Sequence, residues 1–357
     1  MVGVKYKMGD MSQCDKSAFD CAVLLGRFQP PHAGHLGAMR AGLAEAGRLL
    51  VLSCGARQPR STRAPFRFAE VREMILGALT EEERARVRVE PLLDRYEEAA
   101  WGEAVARAAG EAGRVVLAGA EGEEAERVRR LFPGWAAVGG EADTGVKTRA
   151  IREDYLAGAE AGLARWAGAL PESVAGFLRG FAGGAEYAEL KEEARYIAEY
   201  RAQWAGAPYP PIFVTVDAVV IAEGHVLLVE RGHRPGRGLW ALPGGFVEAG
   251  ERIAAAMRRE LAEETGLALG EGDVGGRVKA CRVFDAPCRS ARGRMITHAF
   301  LVVLEEAAGL AEVKGGDDAA RAFWKPLGEV VPERMFEDHW QIIEAMAGGS
   351  DRLRARR

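Results

Sequence analysis

Three glutamates in the second half of the chain have the spacing that metal chemistry requires. Glu260, Glu263 and Glu264 are separated by three residues and by one, and positions i, i+3 and i+4 share one face of a helix. Carboxylates this close repel one another unless a cation lies between them. Oxygen ligands suit a hard ion, Mg²⁺ or Mn²⁺, which can bind phosphate oxygens and lower the pKa of a bound water. The pattern predicts a metal-dependent site for a phosphate compound.

A solvated acidic helix face is the simpler alternative, because glutamate-rich helices are common. That alternative gives no reason for Gly244-Gly245 before the helix, for Glu251 in the loop between, or for Gly266 as a helix stop. The residues around the three glutamates therefore favour a metal site over a solvated face.

The stretch from Gly245 to Leu267 resembles the Nudix box and matches it without a gap. The resemblance implies a loop–helix–loop on a sandwich fold, with Arg259 paired to the loop glutamate Glu251. The metal ligands that it implies are the Gly245 carbonyl, Glu260, Glu263 and Glu264. The catalytic base varies among Nudix enzymes, and three candidates stay open in this chain: Glu251, Glu263 and Glu337.

A second chemical pattern is the run from Gly26 to His35, which follows an apolar strand pattern. Gly26 lets the backbone approach a ligand closely, and the N-terminus of the next helix offers free N–H groups to phosphate. His32 and His35 lie one turn apart and could both donate to an α-phosphate as charge moves to a leaving pyrophosphate. A polar-capped turn is the alternative, but the ten-residue run favours a nucleotide site.

This run resembles the HxGH-type nucleotidyltransferases, and specifically the NMN adenylyltransferases. Ser53–Ala56 and Pro65–Arg72 extend the match. The resemblance implies a Rossmann-like domain in which both histidines are catalytic. The nucleotide contacts assigned with it are Gly26, Arg27, Phe28 and Arg152.

Two segments depart from that family's pattern. Where the family has a Ser-x-Thr-x-Ile-Arg signature, Lys147 and Arg149 occupy the hydroxyl positions, although the closing Ile-Arg pair is present. Thr148 could substitute from one residue away. Ala120 replaces the histidine of a second family segment, and acid follows it, which is unfavourable near a polyphosphate. We expect an active N-terminal half, and the alternative is an inactive, nucleotide-binding or regulatory domain.

Further segments indicate the substrate of the C-terminal half. They are Pro235–Pro243, Phe284–Pro287, Arg292–His298 and Phe336–His339. With the N-terminal run, they resemble the bifunctional NMN adenylyltransferase/ADP-ribose pyrophosphatase family. The resemblance implies hydrolysis of ADP-ribose to AMP and ribose 5-phosphate, joined to synthesis of NAD from NMN and ATP.

Single side chains in these segments allow two interpretations each. Arg292 and Arg294 could clamp a diphosphate, because arginine presents a forked pair of donors, or they could lie in a solvated hairpin turn. Trp240 could stack on a base, although such a tryptophan more often belongs to a core. His298, on a strand, is more often structural than catalytic.

The elements that must position these groups alternate between strand and helix in the N-terminal half. Apolar runs at Ala22–Leu25, Leu49–Ser53 and Val115–Leu117 indicate buried strands, and helical patterns such as His35–Ala46 separate them. This alternation predicts an α/β domain with a mostly parallel sheet over residues 19–160. An amphipathic pattern that ends in a proline cluster predicts a helical connector over 161–211.

The C-terminal half reads instead as a mixed α+β sandwich, expected over residues 212–346. Its strand patterns are Ile212–Ala222, His225–Glu230, Val278–Phe284 and Thr297–Leu304, and its helical patterns are Ile253–Thr265 and Asp338–Met346. A flexible lead over 1–18 and a basic tail over 347–357 complete the expected organisation.

Composition excludes several classes of protein. The 357 residues carry a net charge of -4, without the basic stripe of a nucleic-acid binder. Five cysteines without a Cys-x-x-Cys spacing argue against a disulfide scaffold or a zinc site. The chain shows no apolar leader and no run long enough to span a bilayer. We expect a cytoplasmic protein with small nucleotides as partners, and a homo-oligomer is compatible with the sequence.

A third hypothesis treats the C-terminal half as a non-enzymatic sensor that only binds ADP-ribose. The intact set of Glu260, Glu263 and Glu264 argues against it, since a sensor does not need the metal ligands. The preferred hypothesis is therefore a two-domain enzyme.

Overall fold

The computed structural model of the chain describes residues 18–110, 113–119, 123–139, 147–270, 272, 276–304, 309–316 and 319–348. Nearly all of the expected lead and basic tail lies outside these residues, and so does Ala120. None of the helices within the described ranges is both long and apolar enough to cross a membrane.

The first sheet consists of parallel strands in the order β3-β2-β1-β4-β5. The strands are β1 (Cys21–Gly26), β2 (Leu49–Cys54), β3 (Val87–Leu92), β4 (Val115–Ala118) and β5 (Ala136–Val138). The strand order reverses beside β1, and ligands of open α/β sheets bind at the carboxyl ends of strands at such a point. The loop after β1, which carries the histidine motif, leaves the sheet there.

Helices cover both faces of this sheet, as the alternation of its side chains requires. They are α1 (Ala33–Glu45), α2 (Phe68–Gly77), α3 (Glu81–Ala85), α4 (Glu98–Ala109) and α5 (Glu123–Leu131). Ala22 and Leu24 of β1 pack in the cluster that contains α1 and α2, whereas Val23 packs on the other face with Trp101 and Val105 of α4. The predicted α/β architecture is confirmed.

The expected connector contributes to the core of the first half. Helices α8 (Glu172–Ala182) and α9 (Ala185–Ala202) lie within it, α7 (Ala159–Arg165) spans its expected start, and α6 (Thr148–Ala157) precedes it. Tyr155, Leu163, Leu178 and Leu190 from these four helices belong to the same apolar cluster as β1 and α1. These four helices are therefore packed into the apolar core on one face of the first sheet, and the expected boundary at 160 stays a prediction.

The second sheet is mixed, in the order β10-β11-β6-β7-β12, with β8 paired to β7 and β9 paired to β6. The strands are β6 (Ile212–Ala222), β7 (His225–Arg231), β8 (Trp240–Ala241), β9 (Gly244–Phe246), β10 (Val278–Phe284), β11 (Arg294–Val303) and β12 (Ala319–Pro326). β6 and β7 form a hairpin in which Glu223 and Gly224 both have positive φ, 47° and 74°. Such a turn matches the twist of the strands it joins.

Among the described residues, helices α10 (Ile253–Thr265) and α11 (His339–Ala347) cover the two faces of this second sheet. Val216 and Val220 of β6 pack in the cluster that contains α10. Val219 and Ile221 pack on the opposite face, in the cluster that contains α11. A strand with both faces covered reads as a continuous apolar run, which is why Ile212–Ala222 was recognisable in the sequence. The predicted α+β sandwich is confirmed.

Helix α1 and strand β11 begin earlier than the sequence patterns predict. Helix α1 begins at Ala33, two residues early, because His32 is the N-cap and its Nδ1 accepts the Gly34 N–H at 3.2 Å. Strand β11 begins at Arg294 rather than Thr297, because it pairs in parallel with β6 along its whole length. The cap is local, but histidine is an unusual N-cap residue, and the β6 partner of β11 lies more than eighty residues earlier in the chain.

Candidate active sites

The double glycine before helix α10 brings strand β9 into direct contact with the glutamates of that helix. A Cβ on Gly245 would lie 2.4 Å from Oε1 of Glu260, and a Cβ on Gly244 would lie 2.1 Å from the Val216 carbonyl oxygen. The Gly244 N–H donates to Oε2 of Glu264 at 2.9 Å. Only glycine fits at both positions, so two carboxylates lie directly against the strand backbone.

Arg259 ties the loop to the helix, as the resemblance implied. Its guanidinium donates to both oxygens of Glu251, at 2.7 and 3.2 Å, and to the Phe246 carbonyl at 3.0 Å. It also donates to Glu260 and Glu263, each at 2.9 Å. These carboxylates, Glu251 first, raise the pKa of Arg259. The loop is thereby held in one conformation against the helix.

The carboxylates of the three glutamates are suitable ligands for a divalent cation. In this structure, Arg259 forms hydrogen bonds with two of them, Glu260 and Glu263. Glu260 and Glu264 are buried, and burial together with nearby Glu260 raises the pKa of Glu264 to about 8. The raised pKa of Glu264 shows that its charged form lacks sufficient positive charge nearby, which a hard cation would supply. No three His, Cys, Asp or Glu side chains among the described residues are already arranged to hold an ion. The assignment of Glu260, Glu263, Glu264 and Gly245 as ligands stays a prediction.

The third candidate for the catalytic base, Glu337, lies in a left-handed backbone conformation with φ of 44°. Its Oε1 accepts hydrogen bonds from the Ser290 hydroxyl at 2.7 Å and from the Ala291 N–H at 3.1 Å. Non-glycine residues hold such backbone angles only where their surroundings fix them. The two hydrogen bonds and the backbone conformation thus hold the Glu337 carboxylate in one position. The choice among the three candidate bases stays open.

Arg292 and Arg294 have different surroundings. The Arg292 guanidinium lies between the rings of Phe246 and Phe336, 5.7 and 5.8 Å from their centroids, and its Nε is buried without a partner. Arg294 donates to the Asp285 carbonyl and lies 3.8 Å from the Asp285 carboxylate. Only Arg292 therefore lies against the Nudix-like box, and Arg294 is held within its hairpin.

Trp240 and His298 have structural surroundings. The Trp240 ring packs edge-on against Phe323 at 5.5 Å and under the Arg334 guanidinium at 4.9 Å. Its carbonyl accepts the Phe336 N–H at 2.7 Å. His298 lies half-buried in the middle of β11. Trp240 thus fixes the backbone beside Glu337.

A buried polar network behind the box escaped the sequence reasoning. Arg289, whose side chain is 4% exposed, donates twice to Asp338 at 2.9 Å and lies 3.9 Å from Asp217. Asp217 also accepts from the Thr297 hydroxyl at 2.6 Å, and His339 Nδ1 accepts the Leu242 N–H at 2.9 Å. The one available signal was Asp217, a charged residue inside an apolar strand.

Tyr96 brings the N-terminal half into this network. Its hydroxyl donates to Asp338, and its ring packs edge-on against Phe284 with centroids 4.7 Å apart. Burial, together with the Asp338 carboxylate, raises the pKa of Tyr96. The phenol therefore stays protonated and serves as a donor across the domain boundary.

Ion pairs and one helix complete the contact between the halves. The pairs are Arg57–Glu333, Arg95–Glu344 and Arg282–Glu97. In helix α9, Glu193 accepts the Gly236 N–H at 3.1 Å and Glu189 binds Arg234 at 2.8 Å. Surface ion pairs contribute little singly, so the buried Tyr96 contact is the stronger anchor.

In the N-terminal half, the loop after β1 is built around Phe28. Its φ is 50°, its side chain is 1% exposed, and its ring packs edge-on against His35 at 4.9 Å. A Cβ on Gly26 would lie 2.9 Å from that ring, which explains the glycine. Because the Phe28 ring is buried, a ligand can reach only the main chain of Phe28. A main-chain contact between Phe28 and the nucleotide stays a prediction.

Both histidines are fixed as neutral donors by backbone hydrogen bonds. Nδ1 of His32 accepts the Gly34 N–H, and Nδ1 of His35 accepts the His32 N–H, each at 3.2 Å. The proton of each neutral ring therefore lies on Nε2. Burial lowers the pKa of His32 to about 4, and burial with nearby His32 lowers that of His35 well below its usual value.

Thr148 provides a hydroxyl at the departure from the family signature. It is the first residue of α6, and its Oγ1 lies 3.1 Å from Nε2 of His32. Lys147 caps the helix and is exposed, and Arg149 is paired with Glu153 at 2.9 Å on the surface. The hydroxyl next to the histidines thus comes from Thr148, as the sequence suggested from one residue away.

Arginines surround the mouth of this site. Arg27 donates to Asp94 at 2.9 Å, and Arg152 donates to the Gln29 carbonyl at 3.0 Å. Burial, then the nearby Arg63 and Arg27, lowers the pKa of Arg152 to about 10. Arginines that repel one another are well suited to receive a polyphosphate.

Comparison with known proteins matches each half separately. A family model described as NUDIX domain matches residues 211–346, and one described as cytidylyltransferase-like matches residues 23–146. An ADP-ribose pyrophosphatase of Methanocaldococcus jannaschii is 39% identical over 132 residues, which is 37% of this chain and 70% of that protein. A nicotinamide/nicotinic acid mononucleotide adenylyltransferase of Acinetobacter baylyi is 30% identical over 183 residues, 50% of this chain and 94% of that protein.

A solved structure joins the two halves. The bifunctional NMN adenylyltransferase/ADP-ribose pyrophosphatase of Francisella tularensis is 31% identical, with a TM-score of 0.82, over 93% of this chain and 99% of that one. This chain belongs to the same bifunctional family. A second crystal structure of the Francisella protein is of its complex with AMP and a manganese ion. Family membership places the Nudix box and the HxGH motif of this chain in two catalytic domains.

Proposed function

We propose that the chain is a two-domain enzyme of NAD metabolism. The C-terminal domain hydrolyses the pyrophosphate of ADP-ribose to AMP and ribose 5-phosphate. The N-terminal domain joins NMN and ATP into NAD and pyrophosphate. The observation that carries the proposal is the complete Nudix box, in which Arg259 fixes the Glu251 loop against two buried glutamates.

In the hydrolase domain, side chains of this chain are positioned to stabilise the negative charge of the diphosphate during its hydrolysis. Mg²⁺ or Mn²⁺, held by Glu260, Glu263, Glu264 and the Gly245 carbonyl, would lower the pKa of water and neutralise the diphosphate. Arg292, with its unpartnered Nε between two rings, supplies a donor for a substrate phosphate. Glu251, Glu263 and Glu337 are the candidate bases.

In the transferase, a phosphate oxygen of NMN attacks the α-phosphorus of ATP, and pyrophosphate leaves. The Nε2–H groups of His32 and His35 donate to the α-phosphate, where negative charge grows in the transition state. Arg27 and Arg152 hold the phosphates, and no covalent intermediate is required. Small nucleotides are therefore the proposed partners, while cytoplasmic location and oligomeric state stay predictions.

The hydrolase is tested with Glu263→Gln. We expect loss of ADP-ribose hydrolysis by at least about a hundredfold, the usual scale for a lost acid–base or ligand group, while NAD formation persists in the same preparation. Glu312→Gln, an exposed glutamate outside the box, is the matched control. Unchanged Mg²⁺-dependent hydrolysis in Glu263→Gln would contradict the assignment.

The transferase is tested by incubating the full chain with NMN and ATP and measuring NAD. The native protein is expected to form NAD and His35→Ala to lose it. If the native protein forms none while it hydrolyses ADP-ribose, the N-terminal domain is inactive or regulatory, which is the alternative that Lys147 and Arg149 motivate.

A further inference from the structure

A cavity of about 610 Å³ lies between the two domains and is lined by residues of both. Its N-terminal wall includes nucleotide-site arginines, and its C-terminal wall includes the candidate base and its neighbours. The charged residues of its lining include Arg27, Arg63, Arg152, Glu337 and Asp338. One space therefore connects the arginines of the transferase half with the candidate base Glu337 of the hydrolase half.

The segment 58–64 forms a wall of this cavity and is anchored in the N-terminal domain. Gln29 holds the Phe66 backbone just after the segment, through bonds of 2.8 and 3.0 Å. Arg60 is fixed by Glu70 at 2.6 and 2.7 Å. With both ends of this stretch held, Arg63 is presented to the cavity from a defined position.

Arg63 lines this cavity together with arginines of one domain and acids of the other. Burial, then the like charge of Arg27, lowers the pKa of Arg63, while Glu337 and Asp338 of the other domain favour its charged form. The guanidinium is thus repelled by the transferase site when that site is empty of anions, and it is attracted by the acids of the hydrolase site.

We propose that Arg63 is a counter-ion shared by the two active sites, so that a nucleoside triphosphate in the transferase site weakens binding of ADP-ribose in the hydrolase site. The inference rests on the proposed function. A triphosphate beside Arg27 and Arg152 reverses the local charge and attracts Arg63. Glu337 and Asp338 then lose a neighbouring positive charge, and their repulsion of the anionic substrate increases.

The experiment uses α,β-methylene-ATP, which cannot transfer its adenylyl group, in the absence of NMN and at constant free Mg²⁺. The rate of ADP-ribose hydrolysis by the full chain is measured against substrate concentration at increasing analogue. We expect the KM for ADP-ribose to rise and then level off at a factor of about five or more, the lower range of typical coupling between sites. Levelling is diagnostic, because direct competition raises KM without limit.

Variants assign the effect to Arg63. Arg63→Gln is expected to abolish the analogue effect, and Arg63→Met, which keeps an unbranched stem without charge, provides the same comparison if the first variant does not fold. Arg57→Gln is the matched control, since Arg57 also reaches the C-terminal domain, through Glu333 and outside this cavity. It is expected to keep the effect.

Three results would overturn the shared counter-ion: no change of KM in the native protein, a rise without limit, or the same levelling in the Arg63 variants. Failure of the proposed function is distinguishable, because it appears as absent hydrolysis before any analogue is added.

Discussion

At the scale of single residues, the transferase site shows how side chains can be set for chemistry before a ligand arrives. His32 and His35 each use Nδ1 to accept a backbone N–H. This fixes both tautomers and directs the remaining proton to Nε2. Donors that are already oriented need no reorganisation when charge develops on a phosphate. The cost of that arrangement is two buried, uncharged imidazoles.

The buried histidines predict a pH dependence of stability. The folded-state pKa of His32 is about 4, against 6.5 for the free side chain, so between these values the unfolded chain binds a proton that the folded chain does not. The free energy of unfolding should therefore fall as pH falls from 6.5 towards 4, by up to about 3 kcal/mol from this residue. Denaturant titrations of the native protein and of His32→Asn measure the effect.

In that comparison, His32→Asn should show a smaller pH dependence between pH 4.5 and 6.5, because it lacks one titrating group. The two curves should run parallel above pH 7. Equal slopes below pH 6.5 would show that His32 is not held neutral in the folded protein.

The hydroxyl of Thr148 predicts a second effect at this scale. Thr148→Val removes the partner of His32 Nε2 while it keeps the shape of the side chain. We expect kcat for NAD formation to fall about tenfold to a hundredfold, the cost of a misplaced catalytic group. Thr148→Ser, which keeps the hydroxyl, is the control and should retain most activity. If valine and serine behaved alike, the hydroxyl would have no role.

At the scale of elements, the contact between strand β9 and helix α10 decides the hydrolase site. The strand can lie this close only because it has no side chain at two positions, and Glu260 and Glu264 fill the space. The helix ends at Gly266, whose φ of 71° forms a left-handed cap. The residues of the box therefore determine how β9 packs against α10, in addition to providing the expected metal ligands.

Glycine substitutions in the same loop separate these roles. Gly245→Ala should displace the Glu260 carboxylate, because its Cβ would lie 2.4 Å from Oε1, and should lower kcat for ADP-ribose hydrolysis by at least about tenfold. Gly250→Ala is the matched control, since no atom lies within 4 Å of its added Cβ. Equal activity of both variants would contradict the proposed role of the contact.

Elements with strong periodicity were predictable from sequence, and their contacts were not. Val278–Phe284 and Ile253–Thr265 have the predicted bounds, because alternation and the glycine stop are local signals. The start of α1 was missed since a histidine acts as its cap. The hydrogen bond of Tyr96 joins residues 242 positions apart, and neither Tyr96 nor Arg63 stands in a motif. Such partners follow from the fold and not from spacing.

At the scale of the whole molecule, the hydrolase domain depends on the other half for a buried donor. Asp338 receives hydrogen bonds from Arg289 on its own domain and from Tyr96 on the other. Asp338 adjoins Glu337, whose backbone conformation is strained. Docking of the domains therefore helps to hold a candidate catalytic residue in place.

Tyr96→Phe tests this dependence. The variant keeps the ring on Phe284 but removes the hydroxyl, so Asp338 loses a donor, and we expect a loss of about 1.5–3 kcal/mol in the free energy of unfolding. Hydrolysis of ADP-ribose should decline more than NAD formation does. Tyr209→Phe is the control, because that side chain is 81% exposed. A Tyr96→Phe variant with native stability would exclude the hydroxyl as an anchor.

Helix α9 limits how this chain can be divided. Its residues Tyr187 and Leu190 are packed into the core of the N-terminal domain. Its residues Glu189 and Glu193 bind the turn that contains Arg234 and Gly236 in the C-terminal domain. Cutting the chain on either side of the helix removes these contacts. A hydrolase fragment without the helix has no acceptor for the Gly236 N–H. A transferase fragment with the helix exposes Glu189 and Glu193 without their partners. Chimaeras with other members of the family should therefore inherit α9 together with both of its surfaces.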